Sequence, residues 1–160
     1  MSETKNILLV GKGTASIALA KKMHNDGVKI FIAPGNGISS ELYENIDIRE
    51  DDLTGLLKFS LENDIELTIP VSEIALRADI VSFFQSNGQK IFGPLKDSCN
   101  IALNKASGKK FLYKIHAQTS KFGVFDKLQQ AQSWLDSANF PINVKTCEYH
   151  YGNDRLTCLT

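Results

Sequence analysis

Lys5-Asn6-Ile7-Leu8-Leu9-Val10-Gly11-Lys12-Gly13-Thr14-Ala15-Ser16-Ile17-Ala18-Leu19 is the stretch whose reading decides the fold. Its apolar run from Ile7 to Val10 has the continuous character of a strand buried on both faces. Two glycines break the run, and Ile17, Leu19 and Ala20 follow at mixed helical spacing. A strand that enters a helix through a glycine turn leaves free backbone N–H groups at a helix N-terminus, where a phosphate can be held. The same turn also occurs where glycine only lets helix and strand pack closely, so the remaining sequence has to discriminate.

Outward from this unit the pattern repeats. Val28-Lys29-Ile30-Phe31-Ile32-Ala33 reads as a second strand, closed by Pro34-Gly35-Asn36-Gly37, where glycine and asparagine permit positive φ. Asp51 or Asp52 caps a helix through Leu53, Leu56, Leu57, Phe59 and Leu61, and Ile65-Glu66-Leu67-Thr68-Ile69 reads as a further strand. Ser72 caps one helix whose stripe runs through Ile74, Leu76, Ile80, Val81 and Phe84 to a stop at Asn87-Gly88. Lys90-Ile91-Phe92 then reads as a short strand. Alternating strands and helices with short loops predict an α/β domain over residues 1–95, an open parallel Rossmann-like sheet with ligands at the strand C-terminal ends.

Residues 96–160 read as a different unit. Helices are expected over Ser98 to Leu103 and Lys105 to Ile115, a strand over Phe122-Gly123-Val124, and a helix from Lys127 to Leu135 capped by Asp126. Ile142 to Tyr149 and Leu156 to Leu159, around Gly152-Asn153-Asp154, alternate as a β-hairpin. The sequence ends inside that hairpin, so it reads as a truncated unit whose open strand edge invites self-association.

Composition excludes several classes. The chain of 160 residues is 42% hydrophobic, enough for one ordinary core and a smaller piece. Eighteen Lys and Arg balance eighteen Asp and Glu, without a basic run, which disfavours nucleic acid and anionic membranes as partners. A polar start and the lack of a spanning apolar run point to a cytoplasmic protein. Cys99, Cys147 and Cys158 form no C-x-x-C pair, and His24, His116 and His150 are dispersed, which argues against a metal cage or a disulfide framework; only Cys147, His150 and Cys158 could meet across the hairpin.

Several short stretches together resemble one family. They are Ile32-Ala33-Pro34-Gly35-Asn36, Asn45-Ile46-Asp47-Ile48, Ser72-Glu73-Ile74-Ala75-Leu76 before Ile80-Val81, Ile91-Phe92-Gly93-Pro94, Asn104-Lys105 before Lys109-Lys110-Phe111-Leu112, and Pro141-Ile142-Asn143-Val144-Lys145. In this order and spacing the chain resembles phosphoribosylamine–glycine ligase, also called glycinamide ribonucleotide synthetase, from its N-terminus into the first part of its ATP-grasp domain. The resemblance implies a pre-ATP-grasp domain that helps hold a phosphoribosyl substrate, and an ATP-grasp domain that uses ATP and Mg2+ to activate an acid as an acyl phosphate. It assigns Gly11, Gly13, Thr14, Asn36 and Glu73 to substrate, and Lys105 and Lys145 to nucleotide phosphates. The magnesium-binding carboxylates of the family fall in a later segment, so no ligase activity is expected of these residues alone.

The chain departs from that pattern where it matters chemically. The family's turn continues Gly-Gly-Arg-Glu-His, and here Gly13-Thr14-Ala15-Ser16-Ile17 stands instead, without the arginine that could pair with phosphate. Val71-Ser72 replaces Gly-Pro before Glu73, and Ala75 replaces a proline. After Lys145 a glycine-rich phosphate loop is expected, whereas Thr146 to Arg155 holds a single glycine, Gly152. Two further readings therefore accompany the ligase: a diverged ATP-grasp ligase with another substrate, and a non-catalytic ligand-binding module on the same fold. A dinucleotide-dependent oxidoreductase is disfavoured, because Ser16 stands at the third glycine of G-x-G-x-x-G and Ala33-Pro34 ends the second strand where an acid is needed.

Overall fold

The structure, a computed structural model, describes residues 5–24, 27–147 and 155–158. The chain divides into two compact units, Met1–Cys99 and Asn100–Thr160.

In the first unit, the apolar run becomes β1 (Asn6–Val10), and the glycine turn feeds α1 (Thr14–His24). The chain continues through β2 (Lys29–Ala33), a single turn of helix α2 (Gly37–Ser40), β3 (Glu44–Asn45), α3 (Leu53–Glu62) and β4 (Ile65–Pro70). Next come α4 (Glu73–Arg77) and α5 (Ile80–Ser86). The strands are parallel in the order β3-β2-β1-β4. Because β2 and β3 lie on one side of β1 and β4 on the other, the winding direction reverses between β1 and β4. In an open α/β sheet, that reversal splays the loops at the strand C-termini and opens a crevice.

Alternation along β1 builds two cores. Leu8 and Val10 pack with Phe31, Ala33, Leu56, Ala75, Ile80, Val81 and Phe84 on the face covered by α3, α4 and α5. Ile7 and Leu9 pack with Ala20 of α1, Ile30 and Ile32 on the other. Covering both faces explains why the strands read as unbroken apolar runs. Each fully buried Leu or Ile contributes about 1.5–3 kcal/mol relative to its exposed state.

The structure corrects four local expectations in this unit. The helix expected from Ser72 to Gly88 is two helices, broken where Asp79 adopts φ +64. The apolar period continues across the break, so the stripe could not reveal it. Lys90-Ile91-Phe92 forms only a single parallel bridge, Thr68 to Ile91. In the Pro34 to Gly37 turn only Gly35 has positive φ, +72, while Asn36 is extended at −153. The short α2 and β3, unforeseen, follow from Asn36, which caps α2 with a capping box.

Helix α6 (Lys96–Leu103), which starts earlier than expected, runs across the boundary into the second unit, which continues with α7 (Lys105–Lys114), α8 (Leu128–Leu135), and the antiparallel pair β5 (Ile142–Lys145) and β6 (Arg155–Cys158). Residues 122–124 are not a strand. Phe122 instead meets Tyr113 edge to face, with centroids 6.4 Å apart, inside the roughly 4.5–7 Å range of such pairs. Their β-forming composition describes packing against neighbours, which rings supply here without a ladder. Asp126 does not cap α8: Lys127 holds that position without a side-chain bond. The expected turn Gly152-Asn153-Asp154, and His150 of the Cys147, His150 and Cys158 grouping, lie outside the described residues.

Candidate functional site

The C-terminal edge of the sheet gathers three loops: Gly11 to Gly13 after β1, Pro34 to Asn36 after β2, and Val71 to Ser72 after β4. Backbone bonds tie them together. Gly11 N–H donates to Ala33 O at 2.7 Å, and Val71 and Ser72 N–H both donate to Val10 O at 2.9 Å. A Cβ on Gly11 would stand 2.5 Å from Ser16 Oγ and 3.4 Å from Ser72 N, so close packing of α1, β1 and the β4 loop requires this glycine. A Cβ on Gly13 would meet nothing within 4 Å, so packing does not account for Gly13. Among the described residues neither Gly13 N nor Thr14 N has a hydrogen-bond acceptor, and both residues are exposed.

Asn36 acts as a brace. Its Oδ1 accepts from Ile38 and Ser39 N–H at 2.9 and 3.0 Å, while its Nδ2 donates to Lys12 O at 2.7 Å. Asn45 Nδ2 donates to Asn36 O at 2.9 Å, which fixes the turn against β3. One Nδ2 hydrogen of Asn36 is left for another acceptor. Glu73 opens α4, half-buried, behind the cap in which Ser72 Oγ accepts from Ile74 N–H at 3.1 Å. Among the described residues its carboxylate has no partner.

The sequence reading overlooked Glu50. Of the acids in Arg49-Glu50-Asp51-Asp52 it alone is buried, 7% exposed, and its Oε1 accepts Lys12 N–H at 3.2 Å. Asp51 takes Arg49 through two bonds of 2.9 and 2.8 Å, and Asp52 caps α3 on Gly55 N–H at 2.9 Å. Arg49's hydrogen bond holds the Asp51 carboxyl below the usual carboxylate range. The ion pairs among the described residues are Lys5–Glu66, Lys29–Glu44, Arg49–Asp51 and Lys58–Glu62, so none holds Glu50. Nothing in a run of three acids marks the buried one in advance; only the packing separates them.

Gly11, Gly13, Thr14, Asn36 and Glu73 thus come from the loops of one sheet edge. Lys105 and Lys145 belong to the second unit. Lys105, at the start of α7, donates its N–H to Cys147 O at 2.7 Å, and its Nζ lies 3.3 Å from Thr146 O. Lys145 ends β5, exposed, two residues before Cys147. No group of three or more His, Cys, Asp or Glu is placed to hold a metal ion among the described residues. Nor is any described helix long and apolar enough to cross a membrane.

An open parallel sheet with a glycine turn at its winding reversal defines an α/β protein of the Rossmann-like class. Comparison with known proteins narrows this. Residues 5–102 match the family described as phosphoribosylglycinamide synthetase, N domain. The chain is 35% identical over 141 residues, 87% of its length, to phosphoribosylamine–glycine ligase of Caldanaerobacter subterraneus, and 34% identical over 159 residues, 97% of its length, to that of Pasteurella multocida. It spans 34% and 37% of those relatives, about a third of each. Among solved structures, phosphoribosylamine–glycine ligase of Thermotoga maritima matches with TM-score 0.74 at 17% identity, over 97% of this chain and 36% of that one. An N5-carboxyaminoimidazole ribonucleotide synthetase, solved as an ADP complex, matches with TM-score 0.81 at 15% identity, over 100% of this chain and 42% of that one. The chain belongs to the phosphoribosylglycinamide synthetase N-domain family.

Proposed function

We propose that this chain is the substrate-holding part of an ATP-dependent carboxylate–amine ligase of the phosphoribosylamine–glycine ligase type, and that its first unit binds a phosphoribosyl small molecule. The observation that carries this reading is the convergence of Gly11 to Thr14, Asn36 and Glu73 at the winding reversal of the sheet, in a chain of this family. Gly13 and Thr14 offer backbone N–H groups, Asn36 one amide hydrogen, and Glu73 a carboxylate for ribose hydroxyl or ammonium hydrogens. Lys105, whose N–H bonds to Cys147 O two residues past β5, and Lys145, the last residue of β5, would serve ATP phosphates.

Magnesium does not fit the described residues, since no set of ligands for it is found among them. Ligase turnover is not expected from residues 1–160 by themselves, because the resemblance puts the family's magnesium-binding carboxylates in a later segment. Among the described residues no third strand joins the β5–β6 pair, and its exposed Val144 and Leu156 favour self-association of this chain.

Calorimetric titration with glycinamide ribonucleotide and with Mg-ATP tests the reading. Saturable product binding that Glu73→Ala abolishes, and nucleotide binding that Lys105→Ala weakens at least about tenfold, about 1.4 kcal/mol, are expected. Absence of heat with both ligands from a folded sample sinks it. That outcome would favour a non-catalytic module, a reading supported by Thr14-Ala15-Ser16-Ile17 standing in place of the family's Gly-Arg-Glu-His.

A further inference from the structure

We propose that Glu50 is a positioning residue that sets what the glycine turn accepts: a built-in anion on the Lys12 amide, turning this part of the site away from phosphate and toward a neutral hydroxyl group. This rests on the ligand site proposed above.

An anion-binding turn works by aiming several unspent N–H groups at one negatively charged oxygen. Here Gly11 N–H is spent on Ala33 O and Lys12 N–H on the Glu50 carboxylate. Asn36 grips the same peptide stretch from the other side through Lys12 O. The turn is thus fixed at both its donor and its acceptor, and one of the amides that a phosphate oxygen would take already carries a carboxylate.

Charge points the same way. Glu50 is 7% exposed and has no cation among the ion pairs of the described residues, while Glu73 contributes a second carboxylate on the neighbouring loop. A phosphate seated on the Gly13 and Thr14 amides would lie one residue beyond the Glu50 bond, and like charges disfavour that placement. A hydroxyl meets no such repulsion: its oxygen can accept from the Gly13 and Thr14 amides while its hydrogen is offered to Glu73. The arginine of the family pattern, which could have offset a phosphate here, is Ala15 in this chain.

Inorganic phosphate is the probe, titrated into the full chain, its Glu50→Gln variant, and Glu73→Ala in parallel, with backbone amide resonances followed. In the unsubstituted chain, no saturable shift of the Lys12, Gly13 and Thr14 amides is expected. Glu50→Gln keeps an oxygen for Lys12 N–H and removes the charge, and should bind phosphate at least tenfold more tightly, with Gly13 and Thr14 shifting. Saturable phosphate binding at these three amides in the unsubstituted chain overturns the proposal. So does a folded Glu50→Gln variant without gain. The first of these tests needs no variant, so a Glu50→Gln chain that fails to fold still leaves the proposal open to refutation. Product binding lost in Glu73→Ala alongside no gain in Glu50→Gln refutes only the role of Glu50; a phosphate gain without any product binding refutes only the phosphoribosyl reading.

Discussion

Two glycines separated by one residue do different work. Gly11 is required by packing, because a methyl group there would press on Ser16 Oγ, whose residue is 1% exposed and whose hydroxyl has no hydrogen-bond partner. Gly11→Ala should therefore lose about 1–3 kcal/mol in urea unfolding, while Gly13→Ala, with open space around it, stays within about 0.5 kcal/mol. Adding Ser16→Ala to Gly11→Ala should recover a coupling of at least about 0.5 kcal/mol; strict additivity would show that the clash is relieved elsewhere. The cysteines differ as sharply. Burial, with a smaller push from the Asp79 charge, raises the Cys99 thiol above its ordinary range. A raised value keeps the thiol protonated at neutral pH, and thiolate is the reactive form. Cys99 should then label with a disulfide reagent at pH 7.5 at least about tenfold more slowly than exposed Cys147, a gap that urea should close.

At the scale of elements, sequence reading succeeded where local chemistry and packing agree. The strands β1, β2 and β4 were legible because burial on both faces leaves an unbroken apolar run, and α3 because Asp52 caps it as an acid before an apolar stripe should. It failed where tertiary context decides. The break at Asp79 falls between Leu76 and Ile80-Val81, which pack into the same core on either side of it. Asp79 holds φ +64 with Ser82 Oγ donating to its Oδ1 at 2.8 Å. Asp tolerates this left-handed conformation better than most residues, at about 1–2 kcal/mol of intrinsic cost. Asp79→Ala loses both that tolerance and the hydrogen bond, and should lower stability by about 1–2 kcal/mol; Asp79→Gly, which relieves the backbone, should cost clearly less in thermal unfolding. Equal losses would mean that the side-chain bond, not the backbone, governs the break. In the candidate site the same division holds. The glycine turn, Asn36 and Glu73 carried visible motifs, whereas Glu50 stood among acids of the same kind and was singled out only by folding around Lys12.

Across the whole molecule the two units differ in how their apolar residues are spent. The first has two cores around β1, with Leu8, Leu9, Val10, Ile32 and Leu56 wholly buried. In the second no described residue is buried, and α7 and α8 bury none of their side chains, although Tyr113 and Leu128 remain 73% and 74% exposed. Apolar burial is the main favourable term in folding, and local opening free energies follow how much of it a segment shares. The amides of β1 and β4 should therefore exchange with solvent deuterium by openings near the global free energy, and those of α7, α8 and β5 through much cheaper ones. A difference in protection of at least about a hundredfold, about 2.8 kcal/mol, is expected between the two sets. Uniform protection across both units would refute this, because it would require the second unit to draw stability from burial that its described residues do not have.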